Sequence, residues 1–120
     1  MIKYLSILVV ILFLYLIFSS TVHAKTNNGV NIIRDELRAQ GLNESDVEVM
    51  MNLISCESNF DPYAQNPVSS SSGLLQINHS TWLANSDYDW ELRYDWLANI
   101  ETGVKIYRAR GVQPWSQCVK

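Results

Sequence analysis

Few residues in this chain are of a type and spacing that could do chemistry, and the best placed is a carboxylate. Glu57 stands ten residues after Val47, seven after Met50 and three after Ile54. Helical spacing therefore aims it where those apolar side chains aim. A carboxyl group held against apolar neighbours has its charged form disfavoured by desolvation and can keep a proton near neutral pH. A general acid needs that property when it must protonate the oxygen of a leaving sugar. Spacing alone also allows a plainer reading, in which Glu57 finishes a helix and reaches water, the commoner fate of a charged side chain.

Elimination favours carboxylate chemistry. His79 is the only histidine beyond the first segment, too few for a histidine-based zinc site, and no metal is expected. A Cys–His hydrolase would need Cys56 free and close to His79. No Gly-rich phosphate loop or dinucleotide fingerprint occurs, so no cofactor is expected. Asp61, Asp87 and Asp89 are the acidic residues that could offer a second carboxylate, but spacing singles out none of them.

The elements that must position Glu57 follow from the apolar pattern. Met1, Ile2 and Lys3 precede an apolar run from Tyr4 to Phe18, and Val22 and Ala24 fit a small-residue cleavage pattern. This reads as a signal peptide over 1–24, with an uncleaved anchor as the alternative. Residues 25–120 then form one small domain. Without Lys3, eight Lys and Arg face twelve Asp and Glu, a net charge of −4 with no basic cluster. Nucleic acid is thereby excluded as an expected partner, and a membrane is expected only through the N-terminal segment. Cys56 and Cys118 are the two cysteines. In an exported chain they are expected to pair, the alternative being two buried thiols.

Lys25–Val30 reads as a flexible lead-in. Asn31–Gln40 reads as a short helix with Ile33 and Leu37 on one face and Gly41 as its stop. Ser45 and Glu48 suggest a capping box for a second helix through Val47, Met50, Met51 and Ile54. That helix is expected to end after Phe60, at the Asp61–Pro62 step. A loop with Pro67 and Ser69–Ser72 leads to GLLQIN, too short to assign as strand or helix. Ser80 is expected to cap a brief helix. Asp95–Arg110 carries Trp96, Ile100, Gly103, Val104 and Tyr107 on one face, with Gly111 and Pro114 beyond it. Phe60 and Trp96 read as core. The fold class is mainly α, with a short irregular or β element at Gly73–Asn78.

Three stretches carry a resemblance. ESNFDPYA (Glu57–Ala64), SGLLQIN (Ser72–Asn78) and NIETGVKIY (Asn99–Tyr107) resemble, in order, the signature blocks of the lysozyme-like superfamily, specifically its lytic transglycosylase domain. The resemblance implies a small lysozyme-like helical fold over 25–120 and a substrate of peptidoglycan glycan strands. It further implies that Glu57 donates a proton to the glycosidic oxygen and then acts as base. Ser58, Gln76, Asn78 and Tyr107 become substrate-binding candidates: Ser58 beside the acid, Gln76 lining the cleft with an amide that can both donate and accept, and Tyr107 over the cleft. On its apolar face Tyr107 reads equally as core. The chain departs from the family in carrying serines where glycine-alanine is frequent. It also continues as GVQPWSQCVK where many transglycosylases have AYNAG, so part of the usual cleft wall is expected to be absent or replaced by Trp115.

A retaining hydrolase needs a second carboxylate about 5 Å from the first, and an inverting one needs it roughly 6.5–9.5 Å away. The resembled family needs one glutamate, because the substrate's N-acetyl group assists departure and its C6 hydroxyl closes a 1,6-anhydro ring. The expected function is therefore an exported, monomeric lytic transglycosylase. The alternatives are a hydrolytic lysozyme or an inactive wall-binding module of the same fold.

Overall fold

The computed structural model describes the backbone of residues 2–119 and the side chains of residues 6–18 and 27–119. It is mainly helical, with α1 Ile2–Ala39, α2 Glu44–Ser58, α3 His79–Asn85 and α4 Trp96–Arg110. Two 3-10 segments, Trp90–Tyr94 and Gln113–Cys118, complete it. The chain divides into two units, Met1–Ile33 and Arg34–Lys120.

In the first unit Ile7–Phe18 are exposed apolar residues of α1. Among the described residues no helix is long and apolar enough to cross a membrane. The cleavage site expected after Ala24 lies outside the residues whose side chains are described. The flexible lead-in expected at 25–30 is helical instead. No proline precedes Pro62, and a helix once nucleated gains one hydrogen bond for each further residue it fixes.

The second unit begins in the last turns of α1, where Leu37 is fully buried and Gly41, at φ 85°, turns the chain. Helix α2 starts two residues before the expected capping box. Asn43 Oδ1 accepts from the Asp46 amide at 2.9 Å, and Ser45 lies inside the helix. Asparagine caps as well as serine does, and Glu48, which the capping box required, is paired with Arg34. Val47, Met50, Met51, Leu53 and Ile54 are buried, as the apolar spacing predicted for all but Leu53. The helix ends at Ser58, short of Asp61–Pro62. Asn59 adopts the left-handed conformation and its amide closes on Ser55 O at 3.0 Å, a stop that asparagine tolerates.

GLLQIN forms a tight turn flanked by isolated antiparallel bridges, Gln65 with Ser72 and Ser72 with Ile77. Leu74 and Leu75 are fully buried, so their backbone groups need partners that no sheet supplies. Helix α4 supplies one. Asn99 Oδ1 accepts from the Leu75 amide at 2.9 Å, while its Nδ2 donates to Ser72 O and Arg93 O at 3.2 and 3.0 Å. Trp115 Nε1 donates to Leu75 O at 2.8 Å. Close approach explains two glycines. A Cβ on Gly73 would lie 2.3 Å from Asn99 Nδ2, and one on Gly103 would lie 2.1 Å from Leu75 Cδ1.

Helix α3 is capped by Asn78, not Ser80. Asn78 Oδ1 accepts from the Thr81 amide and the Ser80 hydroxyl, both at 2.9 Å, so Ser80 assists the cap from the first turn. Helix α4 has the expected bounds, with Asp95 Oδ1 accepting from the Ala98 amide at 2.8 Å and Gly111 as C-cap. Trp96 and Phe60 are half-buried. Cys56 and Cys118 are bonded, 62 residues apart with Cα atoms 5.9 Å apart. Closing a loop of that length withdraws denatured-state entropy worth ~4 kcal/mol in the chain-entropy account.

Gly73→Ala must strain a left-handed backbone at φ 77° and displace Asn99. It is expected to cost about 3 kcal/mol, read as a lower urea midpoint at unchanged slope. Alkylation of the native protein without reductant should label neither Cys56 nor Cys118.

Candidate functional site

Glu57 occupies the last turn of α2 and is half-buried. Burial pushes its carboxyl above the usual carboxylate range, and no charged side chain contributes to that shift. The apolar face of α2 thus carries the group partly out of bulk water, one of the two readings its spacing left open. Glu57 Oε1 lies 3.2 Å from Cys118 Sγ. A disulfide sulfur has no proton to donate, so the contact joins the acid to a weakly accepting, polarisable surface.

The other sequence-predicted residues fall in different places. Ser58 does not face the acid; its hydroxyl donates to Ile54 O at 3.1 Å, one turn back along α2. Gln76 and Asn78 come together, lining a cleft of about 40 Å³ with Ile77, Thr81, Ile106, Pro114 and Trp115. The cleft has room for a water or a small group. Gln76 sits at φ 48°, and its Nε2 donates to Ala64 O and Gly73 O, both at 3.0 Å. Both amide protons hold the loop, and Oε1 is not used in these bonds. Asn78 spends Oδ1 on capping α3, and its Nδ2 group is not used in that cap.

Tyr107 is not brought to the acid. Its hydroxyl donates to Asp46 Oδ1 at 2.7 Å, and this bond with partial burial pushes the phenol up to about 12. Asp46 lies in the first turn of α2 and Glu57 in the last, about 16 Å apart along the axis. The half-buried Tyr107 thus ties α4 to the start of α2.

Two of the acidic residues considered as partners have other occupations. Asp61 Oδ1 accepts from the Tyr63 amide at 2.9 Å, and Asp87 pairs with Lys105. Asp89 is an exposed residue preceding the 3-10 segment Trp90–Tyr94. Among the described residues no group of His, Cys, Asp and Glu could hold a metal ion.

Sequence reasoning assigned no role to Asn99, although it opens the NIETG block. Its signal was a carboxamide among Ala98, Ile100, Gly103 and Val104, all buried in α4; a buried amide implies partners. The contact of Cys118 with Glu57 had a fainter trace in the adjacency of Cys56 and Glu57.

The transglycosylase SLT domain profile matches residues 36–111, from the end of α1 to the C-cap of α4. The chain belongs to this family. No curated protein and no solved structure matches it. Membership gives the SLT domain its general activity class, lytic transglycosylase-type action on peptidoglycan. The matched span holds Glu57, the GLLQIN turn and Asn99, but not Trp115 or Cys118. The side chains that close on Leu75 and Glu57 from the C-terminal side thus lie beyond the family's matched region.

Because the folded pKa of Glu57 is raised, its contribution to stability is complete at low pH and is lost as pH rises through that value. Glu57→Gln removes the titration. The variant should melt higher than wild type at neutral pH, with the gap closing as pH falls through the ordinary carboxylate range. Thermal melts between about pH 4 and pH 8 measure this, and a gap independent of pH would refute the burial account.

Proposed function

We propose that this SLT-family protein is an exported, monomeric lytic transglycosylase that breaks the β-1,4 bond between N-acetylmuramic acid and N-acetylglucosamine, with Glu57 as its single acid and base. The observation that carries this reading is the carboxyl of Glu57, half-buried, raised by desolvation and set at the end of α2 within the family's matched span. A neutral carboxyl can donate its proton to the glycosidic oxygen as the C1–O bond breaks, with the substrate's N-acetyl group assisting at C1. The resulting carboxylate then takes the proton of the C6 hydroxyl as O6 bonds to C1. The acid is restored and a 1,6-anhydro ring is left, without water or a second carboxylate.

Export is supported by the apolar N-terminal run and by the bonded cysteines, which persist in oxidising compartments. Gln76 Oε1 and Asn78 Nδ2 offer an acceptor and a donor within one small cleft, suited to an N-acetyl arm.

Digesting peptidoglycan with the purified protein and weighing the products tests the reading. Anhydro-muropeptides are expected; reducing ends would make the protein a hydrolase, and no product at all would make it an inactive module. Glu57→Gln should lower turnover by about 10³-fold while the fold persists. Turnover should also fall as pH rises through the raised pKa of Glu57, because the donor form is then lost.

A further inference from the structure

We propose that the Cys56–Cys118 bond is a positioning device for the acid: it holds the Cys118 sulfur against the Glu57 carboxyl and keeps water off it. This rests on the proposal that Glu57 is the acid, and it extends that proposal to a segment outside the family's matched span.

The geometry follows from the helix. Cys56 and Glu57 are adjacent, and adjacent helical residues do not face each other, so the side chain of Cys56 cannot cover its neighbour. The cross-link reaches around instead. Cys118, brought in by the bond, is the sulfur that lies 3.2 Å from Glu57 Oε1. Its segment, Gln113–Cys118, is anchored independently through buried Trp115 and the bond to Leu75 O. Beyond Trp115, Ser116, Gln117 and Val119 are exposed. Breaking the disulfide therefore uncovers the carboxyl while leaving the tryptophan anchor in place.

Desolvation is then the device's only lever. The Gln113–Cys118 segment, which packs on α2, carries no ionisable side chain besides the bonded cysteine. In the loop after α2, the Asp61 carboxylate is engaged by the Tyr63 amide, and no charge contributes to the state of Glu57. Replacing sulfur by water favours the carboxylate, so loss of the bond should move the acid's titration to lower pH.

The test compares the wild-type full chain with Cys56→Ala/Cys118→Ala, using carbon-13 NMR titration of the Glu57 carboxyl and the pH profile of peptidoglycan cleavage. The expected result is a lower Glu57 pKa in the variant and an alkaline limb of kcat/KM displaced to lower pH by the same amount. Cleavage at acidic pH should survive. If the variant gives no cooperative melt, wild-type protein reduced in its folded state is titrated in its place. An unmoved Glu57 titration in a folded, bond-free protein overturns the proposal. A moved titration in a protein that cleaves nothing at any pH upholds the positioning and removes the enzymatic reading instead.

Discussion

The buried peptide groups of Leu75 are the constraint on which the rest of this domain turns. They sit in a turn with no sheet to complete it, and an unpaired buried amide or carbonyl costs on the order of 1–3 kcal/mol. The amide is met by Asn99 and the carbonyl by Trp115. Each solution sets further conditions. Asn99 can reach only because Gly73 has no Cβ, and α4 can lie close only because Gly103 has none. Trp115 fixes the segment that carries Cys118, and Cys118 closes on α2 beside Glu57. A single pair of backbone groups thereby links the GLLQIN turn, α4, the C-terminal segment and the acid.

The same economy explains why polar side chains near the site serve the backbone more than a ligand. Gln76 gives both amide protons to Ala64 O and Gly73 O, and Asn78 gives its oxygen to α3. In a short irregular turn the backbone lacks its usual partners, so nearby amides are recruited. What they can still offer outward is one polarity each. What these bonds leave unspent is an oxygen on Gln76 and an amino group on Asn78.

Much of the helical scaffold was legible in the sequence. The apolar face of α2 and the start and end of α4 were readable because 3.6-residue periodicity and Gly111 act locally. The half-buried state of Glu57 was one of two readings left open by spacing, and packing of the C-terminal segment favours it. The ends of α2 and the cap of α3 were misjudged by two residues each, because Asn43, Asn59 and Asn78 compete with serine and proline signals at the same ends. The placement of Tyr107 was not legible: its helical face was right, but its hydroxyl answers to Asp46, 61 residues earlier. The irregular turn could be located but not built from the sequence, since the partners of the Leu75 amide and carbonyl lie 24 and 40 positions away.

The disulfide also gives the domain an order of assembly. Helix α2 presents Glu57 as soon as local contacts form, but the sulfur that covers it belongs to a residue 61 positions later. Contacts that span so much chain close late, after the loop-closure entropy has been met. A chain emerging from its N-terminus therefore carries the carboxyl well before its covering. The oxidation that joins Cys56 to Cys118 is thus also the step that completes the surroundings of the Glu57 carboxyl.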